Sequence, residues 1–500
     1  MASNAYVGVP EAKGFAAATG TKAVAHLLWG DRVDLLEAQG LRSKVRARGR
    51  RRIFWVDSAD LQGGPLLEVY FIDVGQGDGI LIVTPERKHI LIDGGYPRSK
   101  QNTGKNAADF VDWKFFADLG EDSVRLDAMI ASHNDIDHYG GLADLLESPD
   151  ASGVISGLDS KGVSVERFYH AGLSWWRTAA KKRTLGAVVK SGEVNAYVEL
   201  LEGRASAMSG LQAGADPALQ GEWGTFIARV TEAQRADGSP THIERISDKS
   251  GSLSALNETG LTFHVLGPLE TTTPAGPGLE KLSGGDAQNT NGHSVTMRLD
   301  YGSSRILLTG DLNQRAQRAL LTAYAGQETV FMADVAKACH HGSDDVSLEF
   351  LSRISPSATI ISSGDGEGHD HPRPGIVGAS GVTGYLTIKD DQIQTPLVYS
   401  TEVARSVSLG KPKRLSVKAE DGSTDTIAGK RLTEAVLQFE ETPPGALNPR
   451  TKSRPMGMTY VVAGQVYGLV NVRTDGRTIL CATMNEGDGT WQIKQFPARF

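Results

Sequence analysis

Five hundred residues exceed what one small module needs, and at the usual domain size they make about two to four domains with ample material for a buried core. Apolar residues at 40% and charged residues at 22% exclude wholesale disorder. The balance of 52 Lys and Arg against 59 Asp and Glu leaves −7, so the chain as a whole does not advertise a polyanion-binding surface. Two cysteines, Cys339 and Cys481, allow at most one bridge, which excludes a disulfide framework and a cysteine-built zinc module. The N-terminal stretch has no apolar core of signal-peptide length behind a basic start, and nowhere does an apolar run reach membrane-spanning length. The expectation is a soluble cytoplasmic protein with no membrane partner.

Residues 21–57 alternate short apolar or β-branched runs with turn residues, the pattern of a small antiparallel barrel. A G-D-x-V turn ahead of a K-V-R strand resembles bacterial SH3-like domains, and the unit is placed at 15–62. Within it Arg42, Lys44, Arg46, Arg48, Arg50 and Arg52 share one face at strand spacing, with Arg51 beside them. Two readings stay open: Arg42, Lys44, Arg46 and Arg48 guide a nucleic-acid backbone, or the strand is a solvated edge protected by its charge.

From Leu66 the texture changes to buried-strand runs, LLEVYFIDVG, GILIVT, HILIDGG and LDAMIASH, each ending in glycine or a polar residue. Residues 148–258 then lose strand rhythm and hold Trp175, Trp176, Arg177, Lys181, Lys182 and Arg183. The tryptophans read equally as base-stacking platforms or as core. Strands return with LTFHVLG, SVTMRLDYG, RILLTGD, DVAKACHHGS and ATIISSGD, separated by the helix-like NQRAQRALLTAYAG. This is an α/β layered domain, 66–400, interrupted by an insertion at 148–258. Residues 401–500 read as a β-rich C-terminal extension with no legible chemistry.

His133, Asp135, Asp137 and His138 lie within six residues directly after the apolar run 126–131, and two glycines follow. A strand end carrying four ligands suits two cations, His133 and Asp135 on one, Asp137 and His138 on the other. Asp311 ends RILLTGD, where a carboxylate at the tip of a buried strand needs a partner or a metal. His340 and His341 end another apolar strand, His293 opens SVTMRLDY, His371 follows ATIISSGD, and Asp93 ends HILIDGG. His264, inside LTFHVLG, reads as a packed strand residue.

These pieces together resemble the metallo-β-lactamase fold superfamily, in the branch of the hydrolase domain of ComEC-type competence proteins. The matching segments are FIDVGQGDGILI, ILIDGG, SHNDIDHYGG, NGHSVTMRLDYGSSRILLTGD, KACHHGSDD and the His371–Pro372 pair, in the family's order across 66–375. The resemblance implies a four-layer αβ/βα sandwich and a two-metal site that hydrolyses phosphodiesters, with a hydroxide shared by the metals as nucleophile. It places His133 and Asp135 on one metal, Asp137 and His138 on the other, Asp311 between them, and one or both of His340 and His341 completing the second. His293 would add to the first. Asp137, Asp311 and His371 are the expected catalytic groups, His371 on a substrate phosphate, while Asp78 and Asp93 would fix ligand orientation. Imidazole with carboxylate suits Zn²⁺, and Asp135 in place of a histidine widens tolerance to Mn²⁺. The expected substrate is a nucleic acid, making the protein a nuclease; the alternatives are a small phosphoester or cyclic nucleotide, or a binding protein with a vestigial site.

Overall fold

The computed structural model describes residues 3–47, 52–101, 104–148, 157–364, 371–401, 406–418, 423–441, 448–459, 461–466, 469–485 and 490–500. Two sheets packed face to face build the larger of its two compact units, residues 1–404 with 468–500. The first takes the apolar runs Leu67–Ile72, Ile80–Val83, His89–Ile92 and Ala128–Ala131, every residue of which is buried. Burial on both faces explains why they read as continuous apolar runs rather than alternating ones. The second sheet runs in the order Leu261–Gly267, Thr296–Tyr301, Ser304–Leu308, Val335–Lys337, Ala358–Ile361, Leu397–Ser400. One apolar core, with Phe71, Ile82 and Ile130 from the first sheet and Phe263, Leu299 and Ile306 from the second, fills the space between them.

Helices cover the outer faces, completing an αβ/βα sandwich. On the second sheet, Leu320 of Gln314–Ala323 and Phe350 of Leu348–Ile354 pack against Leu307 and Ala336. On the first, Ile136–Leu145 lies against Ala107–Trp113 and over strand Ala128–Ala131. In both sheets a run of parallel strands sends its carboxyl ends to one edge, where open α/β sheets place their ligands.

Three expected boundaries differ. Residues 148–258 are not a simple insertion, because Arg167–His170 and His242–Arg245 join the first sheet as parallel strands beyond Ala128–Ala131. At four residues each, they are too short to show a period. The extension 401–500 divides: Leu469–Thr474 pairs antiparallel with Leu67–Ile72, and Thr478–Asn485 and Thr490–Pro497 continue the same sheet. Residues 405–467 form the second unit, with the antiparallel pairs Ser406–Gly410 with Val461–Val466, Arg414–Lys418 with Thr424–Ala428, and Val436–Glu441 with Arg450–Pro455. The N-terminal unit is a six-stranded antiparallel sheet that begins at Ser3 rather than at 15 and encloses Val33, Val45 and Phe54 in a small core of its own.

Candidate metal centre

The loop after Ala128–Ala131 carries His133 and Asp135 and becomes a helix at Ile136, with Asp135 at the N-cap and Asp137 in the first turn. His138, the next residue, projects about 100° further round the same first turn. Gly141 lets this helix sit against the loop of residues 93–95: a Cβ there would stand 2.1 Å from the Gly94 carbonyl oxygen. Asp311 follows Ser304–Leu308, and His340 and His341 follow Val335–Lys337. Asp93, His340 and His341 hold φ of 56°, 47° and 52°, a left-handed backbone that side chains rarely adopt and that concentrates at functional sites.

The side chains converge on Asp311. His138 Nε2 and His341 Nε2 lie 3.2 and 2.9 Å from its Oδ2, and His340 Nε2 lies 3.8 Å away. His341 Nε2 is also 3.8 Å from Asp137 Oδ2, and His133 Nε2 is 3.9 Å from Asp135 Oδ2. Ligand atoms of His133, His138 and Asp311 gather within one metal-sized group, as do those of Asp137, His138 and His341. The Nε2 atoms of His133, His138 and His341 are buried and none makes an aligned hydrogen bond, although two of them approach Asp311 closely. Buried polar atoms are ordinarily paired, so three such imidazole nitrogens around a carboxylate fit a divalent cation. Imidazole and carboxylate are also the donors such a cation takes.

The opposite edges of the rings are held. His138 Nδ1 is 2.8 Å from Asp93 Oδ2, and the Ser132 hydroxyl donates to the same oxygen at 2.6 Å. His341 Nδ1 is 3.4 Å from Asp78 Oδ1, and His133 Nδ1 is 3.0 Å from the Ser132 hydroxyl. Burial disfavours charge on His341, but Asp311 and Asp78 outweigh it and push the pKa up to about 9. A field that attracts a proton this strongly attracts a cation in the same way, in competition with it. Burial and then the neighbouring Asp137 push Asp135 up to about 7, a rise that Arg183 partly offsets.

Above these residues lies a cavity of about 730 Å³. Asp135, Asp137, Asp311, His340 and His371 line it, together with Trp175, Arg183, Glu222 and Trp223.

A family model described as the metallo-beta-lactamase superfamily matches residues 72–164, the stretch that contains Asp78, Asp93 and the four-ligand loop. Over that stretch the chain is similar to the metallo-beta-lactamase superfamily. It is 28% identical over 150 residues to ComE operon protein 3 of Bacillus subtilis (strain 168), covering 30% of this chain and 16% of that one. Against competence protein ComA of Neisseria gonorrhoeae it is 32% identical over 87 residues, 17% of this chain and 12% of that protein. The chain thus matches less than a fifth of the length of either relative. A crystal structure of a metal-dependent hydrolase of the beta-lactamase superfamily aligns with a TM-score of 0.32 at 11% identity, over 67% of this chain and 96% of that one. Among the described residues no helix is long and apolar enough to cross a membrane.

At this edge of the sandwich His133, Asp135, Asp137, His138, Asp311, His340 and His341 come together. His341 sits among Asp78, Asp137, His138 and Asp311, whereas His340 stands farther from Asp311 and beside Asn291. His371 stands at the cavity side, its ring centroid 5.7 Å from that of His340. His293 is the correction. It ends helix Asp286–Gly292, and its Nε2 sits 2.8 Å from the Glu280 carbonyl oxygen, away from the cluster. Ser294 takes the inward place instead, its hydroxyl accepting from the Asp311 backbone N–H at 3.0 Å and lying 3.3 Å from His133 Nδ1. His264 pairs with Asp300 at 3.5 Å.

Two further groups went unread in the sequence. Asn291 bridges Asp135 and His340, its amide nitrogen 3.0 Å from Asp135 Oδ2 and its oxygen 3.2 Å from His340 Nε2. Lys337 is buried, with Nζ 2.5 Å from Asp78 Oδ2 and 2.8 Å from the Gly310 carbonyl oxygen. A lysine inside an apolar strand was the available signal for it.

The basic strand is less free than its spacing implied. Arg42 donates to Asp57 at 2.8 Å and to the Gly20 carbonyl at 2.6 Å while lying over the Phe15 ring, and Lys44 stands 3.6 Å from Glu37. Arg46 shares its cavity with Asp31, Asp34, Glu68 and Asp118 and with the cations Arg32, Arg87 and Lys114. Arg48 and Arg50 lie outside the described residues.

Proposed function

We propose that this chain hydrolyses phosphodiester bonds of nucleic acid with two divalent cations, Zn²⁺ or Mn²⁺, held by His133, Asp135, Asp137, His138, Asp311, His340 and His341. The observation that carries the reading is the buried cluster at Asp311, where the Nε2 atoms of His133, His138 and His341 gather around a carboxylate that lines the cavity. Bound there, such cations supply Lewis acidity, lowering the pKa of water and neutralising charge on phosphate oxygens. The chain's own residues orient and exclude. Asp93, Ser132 and Asp78 fix the imidazole rings, Asn291 holds Asp135 against His340, and His371 stands where a substrate phosphate would meet it. Cys339, next to the histidine pair, is buried with its pKa pushed up to about 11, so it stays a thiol rather than a nucleophile.

A second reading draws on the size of the cavity. About 730 Å³ is the volume of a small-ligand site, which favours a small phosphoester or a cyclic nucleotide. Protein reconstituted with Mn²⁺ or Zn²⁺ is incubated with single-stranded DNA, duplex DNA, RNA, bis(p-nitrophenyl) phosphate and a cyclic dinucleotide. Cleavage of a polymer is expected. Turnover of the small esters alone selects the second reading, and silence on all five after verified metal uptake overturns both.

A further inference from the structure

Part of the cavity lining comes from the segment between strands Arg167–His170 and His242–Arg245, and it carries one feature that metal chemistry does not use. Trp175 is buried, and its Nε1 donates at 2.9 Å to the carbonyl oxygen of Asn134, the residue between His133 and Asp135. The Arg183 guanidinium lies over this indole, 3.6 Å from the ring centroid. The indole is thus a rigid shelf tied to the ligand loop, and Arg183 rests on it.

Arg183 is exposed, and it is the only Lys or Arg among the described residues that line the cavity. Its neighbours there include the carboxylates Asp135, Asp137, Asp311, Glu222 and Asp345. No carboxylate among the described residues lies within ion-pair distance of it. A stacked guanidinium keeps its in-plane N–H fork available, and that fork matches two phosphate oxygens at once. Cations in the ligand cluster would engage the reacting phosphate, which leaves Arg183 to meet a second anion farther along the same substrate.

We propose that Arg183, seated on Trp175, binds the phosphate adjacent to the one being cleaved, so that the site selects substrates with two successive phosphodiesters over substrates with one. The inference rests on the phosphodiesterase reading and specifies its substrate class. It covers both a single-stranded oligonucleotide and a cyclic dinucleotide, because each presents a second phosphate at a short spacing.

The test uses the full chain loaded with Mn²⁺ and three substrates: bis(p-nitrophenyl) phosphate and d(TpT), with one phosphate each, and d(TpTpT), with two. Arg183→Gln is expected to raise KM for d(TpTpT) by about 10-fold or more, the scale of a charge-assisted hydrogen bond. Its kcat changes less than about 3-fold, and KM for both one-phosphate substrates rises far less than for d(TpTpT). Arg183→Lys falls between, retaining charge without the fork. Lys181→Gln with Lys182→Gln, on neighbouring exposed residues outside the cavity lining, serves as the control for net charge and leaves KM unchanged. Equal losses on one- and two-phosphate substrates, or an equal loss in the control, overturn the proposal.

A second readout does not depend on turnover. Anisotropy of a fluorescein-labelled phosphorothioate hexathymidylate measures binding against salt, and Arg183→Gln should reduce the slope of log K on log[salt] by about 0.7, one contact's share for a single strand. If the wild-type protein cleaves nothing but the variant loses this binding, the phosphodiesterase reading falls while the Arg183 assignment stands. Unchanged binding, or no binding by the wild-type protein, overturns the assignment.

Discussion

Asp311 is the residue on which the site converges, since His138, His340 and His341 all approach its Oδ2. Asp311→Asn keeps the shape but removes the charge that a pair of cations would share, so metal content should fall and hydrolysis drop by orders of magnitude. Retention of both metal and activity would remove this residue from the centre. His293→Gln tests the opposite case: with its imidazole directed at the Glu280 carbonyl oxygen, metal content should stay at the wild-type level and stability should fall by about 1 kcal/mol. Lys337→Met strands the buried Asp78 carboxylate, a change that typically costs about 3–5 kcal/mol, and should appear as a large drop in the urea midpoint. How far the residues were legible follows from their spacing. Four ligands inside one strand-end loop announce themselves, as does an aspartate closing an apolar run. His293 has the same outward signature as a ligand, a histidine at the mouth of an apolar strand. Only the turn of the preceding helix decides that Ser294 points inward in its place. Asn291 and Lys337 are set by partners far away in the chain, Asp135 and Asp78, and no local pattern reports such a pairing.

Among the elements, the helix bearing Asp137 and His138 is placed by backbone contact. Its glycines lower helix propensity, and replacing one by alanine would by that measure gain about 1 kcal/mol. At Gly141 the sign reverses, because an added Cβ would stand 2.1 Å from a backbone oxygen, a distance only a shift of the helix relieves. Gly141→Ala should therefore lower both the melting temperature and metal affinity. A stabilised variant that binds metal normally would show that the helix moves without consequence. The C-terminal strands make a second case. Val470, Val472, Ile479, Cys481 and Phe496 are buried in the core shared by both sheets, and Leu469–Thr474 covers the edge of Leu67–Ile72. Each apolar side chain of this size contributes about 1.5–3 kcal/mol on burial. Truncation after residue 404 should leave the remainder insoluble or without a cooperative melt, and a soluble truncated chain with unchanged melting would refute the assignment. In the sequence these strands alternate like any peripheral hairpin, and their register against a strand some four hundred residues earlier is a tertiary choice that periodicity does not encode. The long apolar runs of both sheets were legible because burial on both faces leaves no polar positions to blur them.

At the scale of the whole molecule, the N-terminal sheet and the sandwich are joined through buried charge, and pH acts on several such buried groups together. Arg473, on a strand of the first sheet, donates to the Trp29 carbonyl at 2.5 Å and to Asp31 at 2.8 Å, and stands 3.6 Å from Glu68. These contacts tie the strand of Arg473 to the turn at Trp29 and Asp31. Two buried histidines lie away from the candidate metal centre. Burial, with Arg87 and Lys114 adding to it, lowers His89 to about 3, and burial with Arg245 lowers His170 to about 3. Both are therefore neutral in the folded protein while their unfolded counterparts titrate near 6.5. A depressed histidine pKa means that the unfolded chain binds more protons between about pH 6.5 and 3. Stability from these residues is complete above that window and is lost as pH falls through it, at up to about 1.4 kcal/mol per pH unit for each group. Neither His89 Nε2 nor either ring nitrogen of His170 has a hydrogen-bond partner, so replacing the rings with an apolar side chain leaves no severed bond behind. His89→Leu with His170→Leu should be about as stable as the parent at pH 7.5 and should lose stability more slowly on acidification, the two urea-midpoint curves diverging below about pH 6.5. The candidate metal centre is the same in both proteins, so any acid sensitivity of its own cancels in the comparison. Parallel curves from pH 7.5 to 5 would mean that these imidazoles gain protons without unfolding the chain, and that acid acts first on the carboxylates.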